Sequence, residues 1–393
     1  MIPIRTATIA ALASAVLATT LTGCQFGAAE EDTSPIVIGA DLELSGAAAP
    51  VGQAYQRALE LKVEQLNASG ALNGRRIELR IKDNRSDAAE SLRNVGEFGN
   101  DGGISAVVMG GCNECAVGAV RTINERRVPT IALAASSEVV NPVVDRRYVF
   151  QLAPGAGASA SVLVDELRRA RNRTVAVLHS DDSYGREGLT ALRRELDKAN
   201  IDLQRRIAIG STVTDLAQPV QQLVSGNPDA VILWTNAEQA TIAANTAQQA
   251  NFDGNLYFDA VAGGELFLGG SGRANARSTL VFTQTMAIDD VIATTPAKAA
   301  RRQWFQDYTA RYGSYHGFSS FAADAVQLIA DAELRRSGPT GQVDRDGIRD
   351  VLETAQLDGL SGPIRITPDN HSALMPQALT TLVARGGRWR LAG

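Results

Sequence analysis

ISAVVMGGCNECAVGAVRTINERRVPTIALA, residues 104–134, decides the fold. ISAVVM (104–109) is a short, β-branched apolar run of strand length. Ala116–Arg127 carries apolar residues at helical spacing, and PTIALA (129–134) is a second strand-like run. Strand, helix and strand in so short a span make a parallel crossover, because two parallel strands need a connection that returns to the starting edge. Between the first strand and the helix sits GGCNEC, two cysteines three positions apart. Their spacing suits a redox pair, half a metal site or a brace for a loop.

Outward from this unit the alternation continues. IVIGAD (36–41) reads as a strand and Gln53–Leu66 as a helix. Gly70 and the Asn73-Gly74 turn lead to RRIELRIKD, an alternating strand, and Asp87–Phe98 is helical. After YVFQLAPGAGAS (148–159) a second set begins. Helices are expected at Ser159–Ala170, Gly185–Ala199, Asp215–Val224 and Ala237–Ala250, interleaved with the extended runs TVAVLHS, IDLQRRIAIG, AVILW and NLYFDA. The pattern predicts an α/β protein with two doubly wound parallel-sheet lobes. After Ala260 the rhythm breaks into a glycine-rich stretch, the strand STLVFTQTM, helices near 296–312, 319–336 and 344–354, and a final run of strands and turns. This last third is too helical and too short for a third α/β domain. It completes the first two, so the chain crosses between lobes more than once, which makes a multi-stranded hinge and a cleft.

The N-terminus assigns the compartment. Arg5 precedes an apolar run, Ile9–Leu21, which ends in Leu21-Thr22-Gly23-Cys24. That is a secretory signal, too short for a stable membrane span, and its end resembles the lipobox of bacterial lipoproteins. Residues 1–23 are then the signal, Cys24 the lipidated residue, and residues 24–35 a polar tether that holds the rest outside the cytoplasm on a lipid anchor. The net charge of −5 and the lack of a basic cluster with interleaved aromatics argue against nucleic acid. Cys112 and Cys115 are the remaining thiols, and outside the cytoplasm such a pair oxidises. His179, His316 and His371 are too scattered to complete a zinc site, so no metal is expected. Neither is a cofactor or catalysis. GxSxG, Walker A and HExxH motifs are missing, and GAGASA (155–160) lacks the full dinucleotide-binding spacing.

In open α/β sheets, ligands bind beyond the carboxyl ends of strands, where helix N-termini offer unpaired N–H groups. After the first strand, Ser45-Gly46 lets backbone approach a ligand, although the same residues suit an ordinary turn. After the third, Asn113 sits at a helix start. After the fourth, Ser136 and Ser137 bring hydroxyls and N–H groups together, as a carboxylate requires or as a helix cap uses them. In the second half Tyr184, Asn236 and Asp259 occupy equivalent strand ends, Asp259 as the acid able to pair with an ammonium.

These segments together resemble the branched-chain amino-acid-binding (leucine/isoleucine/valine-binding) proteins of ABC importers, which have the type I periplasmic-binding fold. The match runs from IVIGADLELSG through ALNGRRIELRIKDNRSD, AVVMGG, VPTIALAASS, VAVLHSDDSYGREG and DAVILW to LSGPIRI. The resemblance implies a monomer whose lobes, about 36–153 plus 285–361 and 154–284 plus 362–393, close on a small amino acid, carboxylate or amide through a three-stranded hinge. The closed form then docks on a membrane permease. It also implies that Asn113, the Ala134 backbone and Ser136 hold the ligand carboxylate, that Tyr184 is the tyrosine of the family's DxxYG motif, and that Asp259 stands nearest the acid that holds the ammonium. Asn113 replaces the family's usual serine, and Ala49 and Val51 stand where an aromatic residue is frequent. If Val261 rather than Asp259 meets the family's acidic position, the ammonium clamp is lost, and short amides, urea-like compounds or carboxylic acids become ligands. A sensing module of the same fold, signalling through a separate membrane partner, is the alternative role.

Overall fold

The computed structural model describes residues 32–46, 48–210, 212–262, 278–336 and 341–392. The expected signal, Cys24 and most of the expected tether, like most of the glycine-rich stretch after Ala262, lie outside the described residues.

Sheet one contains β1 (Ile36–Leu42), β2 (Ile77–Asp83), β3 (Ile104–Met109), β4 (Thr130–Ala132) and β5 (Val149–Gln151). Its order is β2-β1-β3-β4-β5, every pair parallel. The period-two alternation of β1 sends Val37 to one face, with Val95 and Phe98 of α2 (Ala88–Asn100) and Ala119 and Ile123 of α3 (Asn113–Arg126). Ile36, Ile38 and Leu42 face the other way, into the cluster that contains Tyr55, Ala58 and Leu59 of α1 (Ala49–Ser69). Each such fully buried aliphatic side chain contributes about 1.5–3 kcal/mol.

Sheet two contains β6 (Thr174–Ser180), β7 (Asp202–Ile209), β8 (Ala230–Trp234), β9 (Asn255–Phe258) and β10 (Ser278–Thr283) in the order β7-β6-β8-β9-β10, again parallel. Both lobes therefore wind second-first-third-fourth-fifth. Around sheet two lie α4 (Ala156–Arg169), α5 (Ser183–Ala199), α6 (Ala217–Val224) and α7 (Ala237–Gln249). The C-terminal third supplies α8 (Pro296–Tyr312), α9 (Ser319–Arg335) and α10 (Arg345–Leu352), with α9 against α1. It also supplies the small hairpin of β11 (Gln356–Asp358) and β12 (Pro363–Arg365). The chain ends in an antiparallel hairpin, β13 (Leu379–Arg385) and β14 (Arg388–Leu391), on the β10 edge of sheet two.

The chain passes between lobes three times: after β5, after β10 and before β13. The last passage comes later than the expected boundary at 361/362. Residues 371–373 still serve sheet one, since Gln151 N donates to His371 O at 2.9 Å and Ala373 N donates to Gln151 O at 2.8 Å. An edge strand leaves backbone groups unpaired, and this segment pairs those of β5.

Candidate functional site

The carboxyl ends of both sheets face one cavity of about 740 Å³. Its walls include the loops after β1 and β3 in lobe one and after β6 and β8 in lobe two. These are the points where strand order reverses, and adjacent crossovers leave on opposite faces there and open a crevice.

The loop after β1 is held by a buried polar cluster. Asp41 accepts from Asn84 Nδ2 (3.1 Å), Asn94 Nδ2 (2.8 Å) and Ser91 Oγ (2.5 Å), and burial pushes its carboxyl above its ordinary range. Two residues on, Glu43 lines the cavity while only 1% exposed. Its carboxylate accepts from Cys112 N at 3.0 Å and Gly111 N at 3.2 Å. Burial raises the pKa of Glu43 too. A Cβ on Gly110 would stand 2.1 Å from Glu43 Oε2, and one on Gly52 would stand 2.0 Å from Glu43 O. Glycine at both positions leaves room for this acid. Sequence reading missed Glu43, because an acid just past a strand end looks like a solvated turn charge. The glycines at 52 and 110 were the available signal.

Cys112 and Cys115 are joined as a disulfide, with Cys112 capping α3. Asn113 lines the cavity, but its Oδ1 accepts from Ala135 N (2.9 Å) and Ser136 N (2.8 Å). The expected contacts Ala134, Ser136 and Ser137 are not in the wall. Extended backbone alternates sides, so Leu133 and Ala135 face the cavity instead. Ser136 Oγ (3.4 Å) and Ser137 N (2.8 Å) both donate to Glu187 Oε2 on α5, a contact that bridges the lobes. Ser45 is also outside the wall: its hydroxyl donates to Asp83 Oδ2 at 2.6 Å, and Gly46 and Ala48 form that part of the surface.

In lobe two, Tyr184 and Asn236 line the cavity. Asn236 caps α7 by accepting from Gln239 N at 2.9 Å, and Asp182 caps α5 by accepting from Gly185 N at 2.7 Å. Asp259 lies behind the wall, accepting from the Tyr184 hydroxyl at 2.7 Å and from Val261 N at 3.2 Å, while Val261 itself reaches the cavity. Burial pushes the Asp259 carboxyl up to about 7. Sequence reading also passed over Tyr55, Phe318 and Phe321, which form an aromatic wall contributed by α1 and the start of α9. Among the described residues, no group of three or more His, Cys, Asp or Glu could hold a metal ion, and no helix is long and apolar enough to cross a membrane.

The profile of the periplasmic binding protein family matches residues 35–388. The chain belongs to that family. Leu/Ile/Val-binding protein homolog 7 of Brucella abortus is 27% identical over 256 residues to this binding protein, an alignment that spans 61% of each chain. An extracellular ligand-binding receptor from Rhodopseudomonas palustris superposes with TM-score 0.82 at 19% identity, covering 91% of this chain and 99% of the other. The substrate-binding protein LivJ of Streptococcus pneumoniae, solved with isoleucine, gives 0.77 at 20% identity, with 91% and 99% covered. A solute-binding protein of R. palustris, solved with benzoate, gives 0.79 at 18%, with 91% and 96% covered. These likenesses establish the two-lobed α/β fold expected from the strand–helix rhythm.

Proposed function

We propose that this chain is the extracytoplasmic solute-binding component of an ABC importer, anchored to the membrane by a lipid on Cys24. As a monomer it captures a small organic solute, an amino acid or a similar compound, between its lobes and presents the closed form to a permease. It binds and releases its solute unchanged. The observation that carries this reading is the cavity of about 740 Å³ walled by both lobes, whose three connections allow hinge closure. A solute that touches both walls binds the closed form better than the open one and shifts the population toward it. The relatives solved with isoleucine and with benzoate support a small organic ligand.

A thermal-shift screen of amino acids, amines, amides and aromatic acids tests the binding role, since a ligand at a hundred times its Kd stabilises by about 2.7 kcal/mol. Small-angle scattering of the stabilised sample is expected to show a smaller radius of gyration. Cys24→Ala should move the protein from the membrane fraction to the soluble one. Deleting the chain should abolish uptake of the solute. A lost transcriptional response with uptake intact would instead establish a sensor.

A further inference from the structure

Five backbone donors at the strand ends of lobe one are already engaged by the protein's own side chains. Gly111 N and Cys112 N donate to Glu43, Ala135 N and Ser136 N to Asn113, and Ser137 N to Glu187. On the facing lobe, Asp182 and Asn236 cap α5 and α7. The strand ends where a carboxylate was expected therefore present side-chain oxygens.

The charge of the walls points the same way. The cavity marks the site, and its described lining includes Glu43, Glu114, Asp182 and Glu238 but no Lys, Arg or His. Glu43 is the buried member, and each of its carboxylate oxygens receives one backbone N–H. A carboxylate oxygen has capacity for a second donor. Beside it, Tyr55, Phe318 and Phe321 offer aromatic surface, and ring faces attract cations.

We propose that the cleft selects an organic cation, a solute that presents an ammonium, amidinium or guanidinium group to Glu43 and an apolar or aromatic body to Tyr55, Phe318 and Phe321, and that it disfavours solutes presenting a carboxylate at this wall. The inference rests on the solute-binding reading given above and names the ligand class. Such a cation supplies N–H donors to the carboxylate oxygens and neutralises a charge held away from water. A carboxylate in the same place meets a like charge at short range and finds these five backbone donors taken.

Calorimetric titration of the full chain with two matched pairs tests this: benzylamine against benzoate, and 3-methylbutylamine against 3-methylbutanoate. Each amine is expected to bind at least tenfold tighter than its carboxylate partner. Glu43→Gln is expected to reduce that ratio at least tenfold while far-UV circular dichroism stays native. If Glu43→Gln fails to fold, Glu43→Asp, which withdraws the charge by one methylene, should lower amine affinity severalfold. Carboxylates binding as tightly as amines, or an unchanged ratio in the folded variant, would overturn the inference and leave solute binding intact. No binding by any solute of either charge, in the titrations or in the wider screen, would overturn the solute-binding reading and this inference together.

Discussion

The Tyr184 hydroxyl donates to Asp259 Oδ2 across 2.7 Å, with the two residues only 2% and 0% exposed. Burial raises the Asp259 carboxyl to about 7, against about 3.9 in an unfolded chain. Between those values the folded state holds the extra proton, so this group's contribution to stability falls as pH rises from about 4 to about 7. Asp259→Asn keeps an acceptor for Tyr184 and removes the buried charge. Its melting temperature relative to wild type should therefore rise between pH 4.5 and pH 8. A difference that stays constant across that range would contradict the assignment.

Gly110 is required by Glu43. A methyl group there would stand 2.1 Å from Glu43 Oε2, so Gly110→Ala should destabilise by about 1–3 kcal/mol, as overpacking does. The cost should shrink in a Glu43→Ala background, since the clashing carboxylate is then absent. Urea unfolding of the four proteins in this cycle gives the coupling directly. Additive effects would show that the clash is relieved elsewhere.

Glu187 joins α5 to the loop after β4 and so crosses between lobes. Removing it with Glu187→Ala should leave each lobe folded and weaken closure. A half-exposed charged hydrogen bond of this kind contributes about 1 kcal/mol, which corresponds to roughly a fivefold loss of solute affinity. Titration calorimetry measures that loss, and small-angle scattering should show a more open average without solute. Unchanged affinity and dimensions would mean that the contact has no part in closure.

The Cys112–Cys115 disulfide closes a very short loop. On loop-closure entropy it stabilises by about 2 kcal/mol at most. Reduction should lower the melting temperature by a few degrees without unfolding the chain. It should also weaken solute binding, because the N–H groups of Gly111 and Cys112 hold Glu43 in place. Thiol titration of the untreated native protein should find neither cysteine free, and two reactive thiols would overturn the brace.

Local pattern was strong where burial is periodic. The run of Ala237–Ala250, expected to be helical, is α7 at Ala237–Gln249, and its buried residues include Ala240, Ala243, Ala244 and Ala247, at helical spacing. The same logic placed Asp87 at a helix start, and it caps α2 by accepting from Glu90 N. Side-chain direction at strand ends was weaker. Asn113 has the pattern of a ligand contact and lines the cavity, but its carbonyl oxygen is bound to backbone from the next loop. Ser136 and Ser137 have the pattern of ligand contacts, and they meet Glu187 from the other lobe. No local pattern holds that partner, since Ser136 and Glu187 are 51 positions apart.

The sequence by itself determined the α/β class, the two-lobed parallel architecture and the strand ends at which a site forms. Those features follow from the spacing of apolar residues along one chain, a local property that burial on both faces of a sheet enforces. Only the tertiary structure decided what the site offers a ligand. It brought Glu43 against the N–H groups of Gly111 and Cys112, set Asp259 behind Tyr184, and turned Leu133 and Ala135 rather than Ser136 to the cavity. Hydrogen-bond partners are chosen by proximity in space among groups distant in sequence, and a buried donor takes whichever acceptor the packing brings to it.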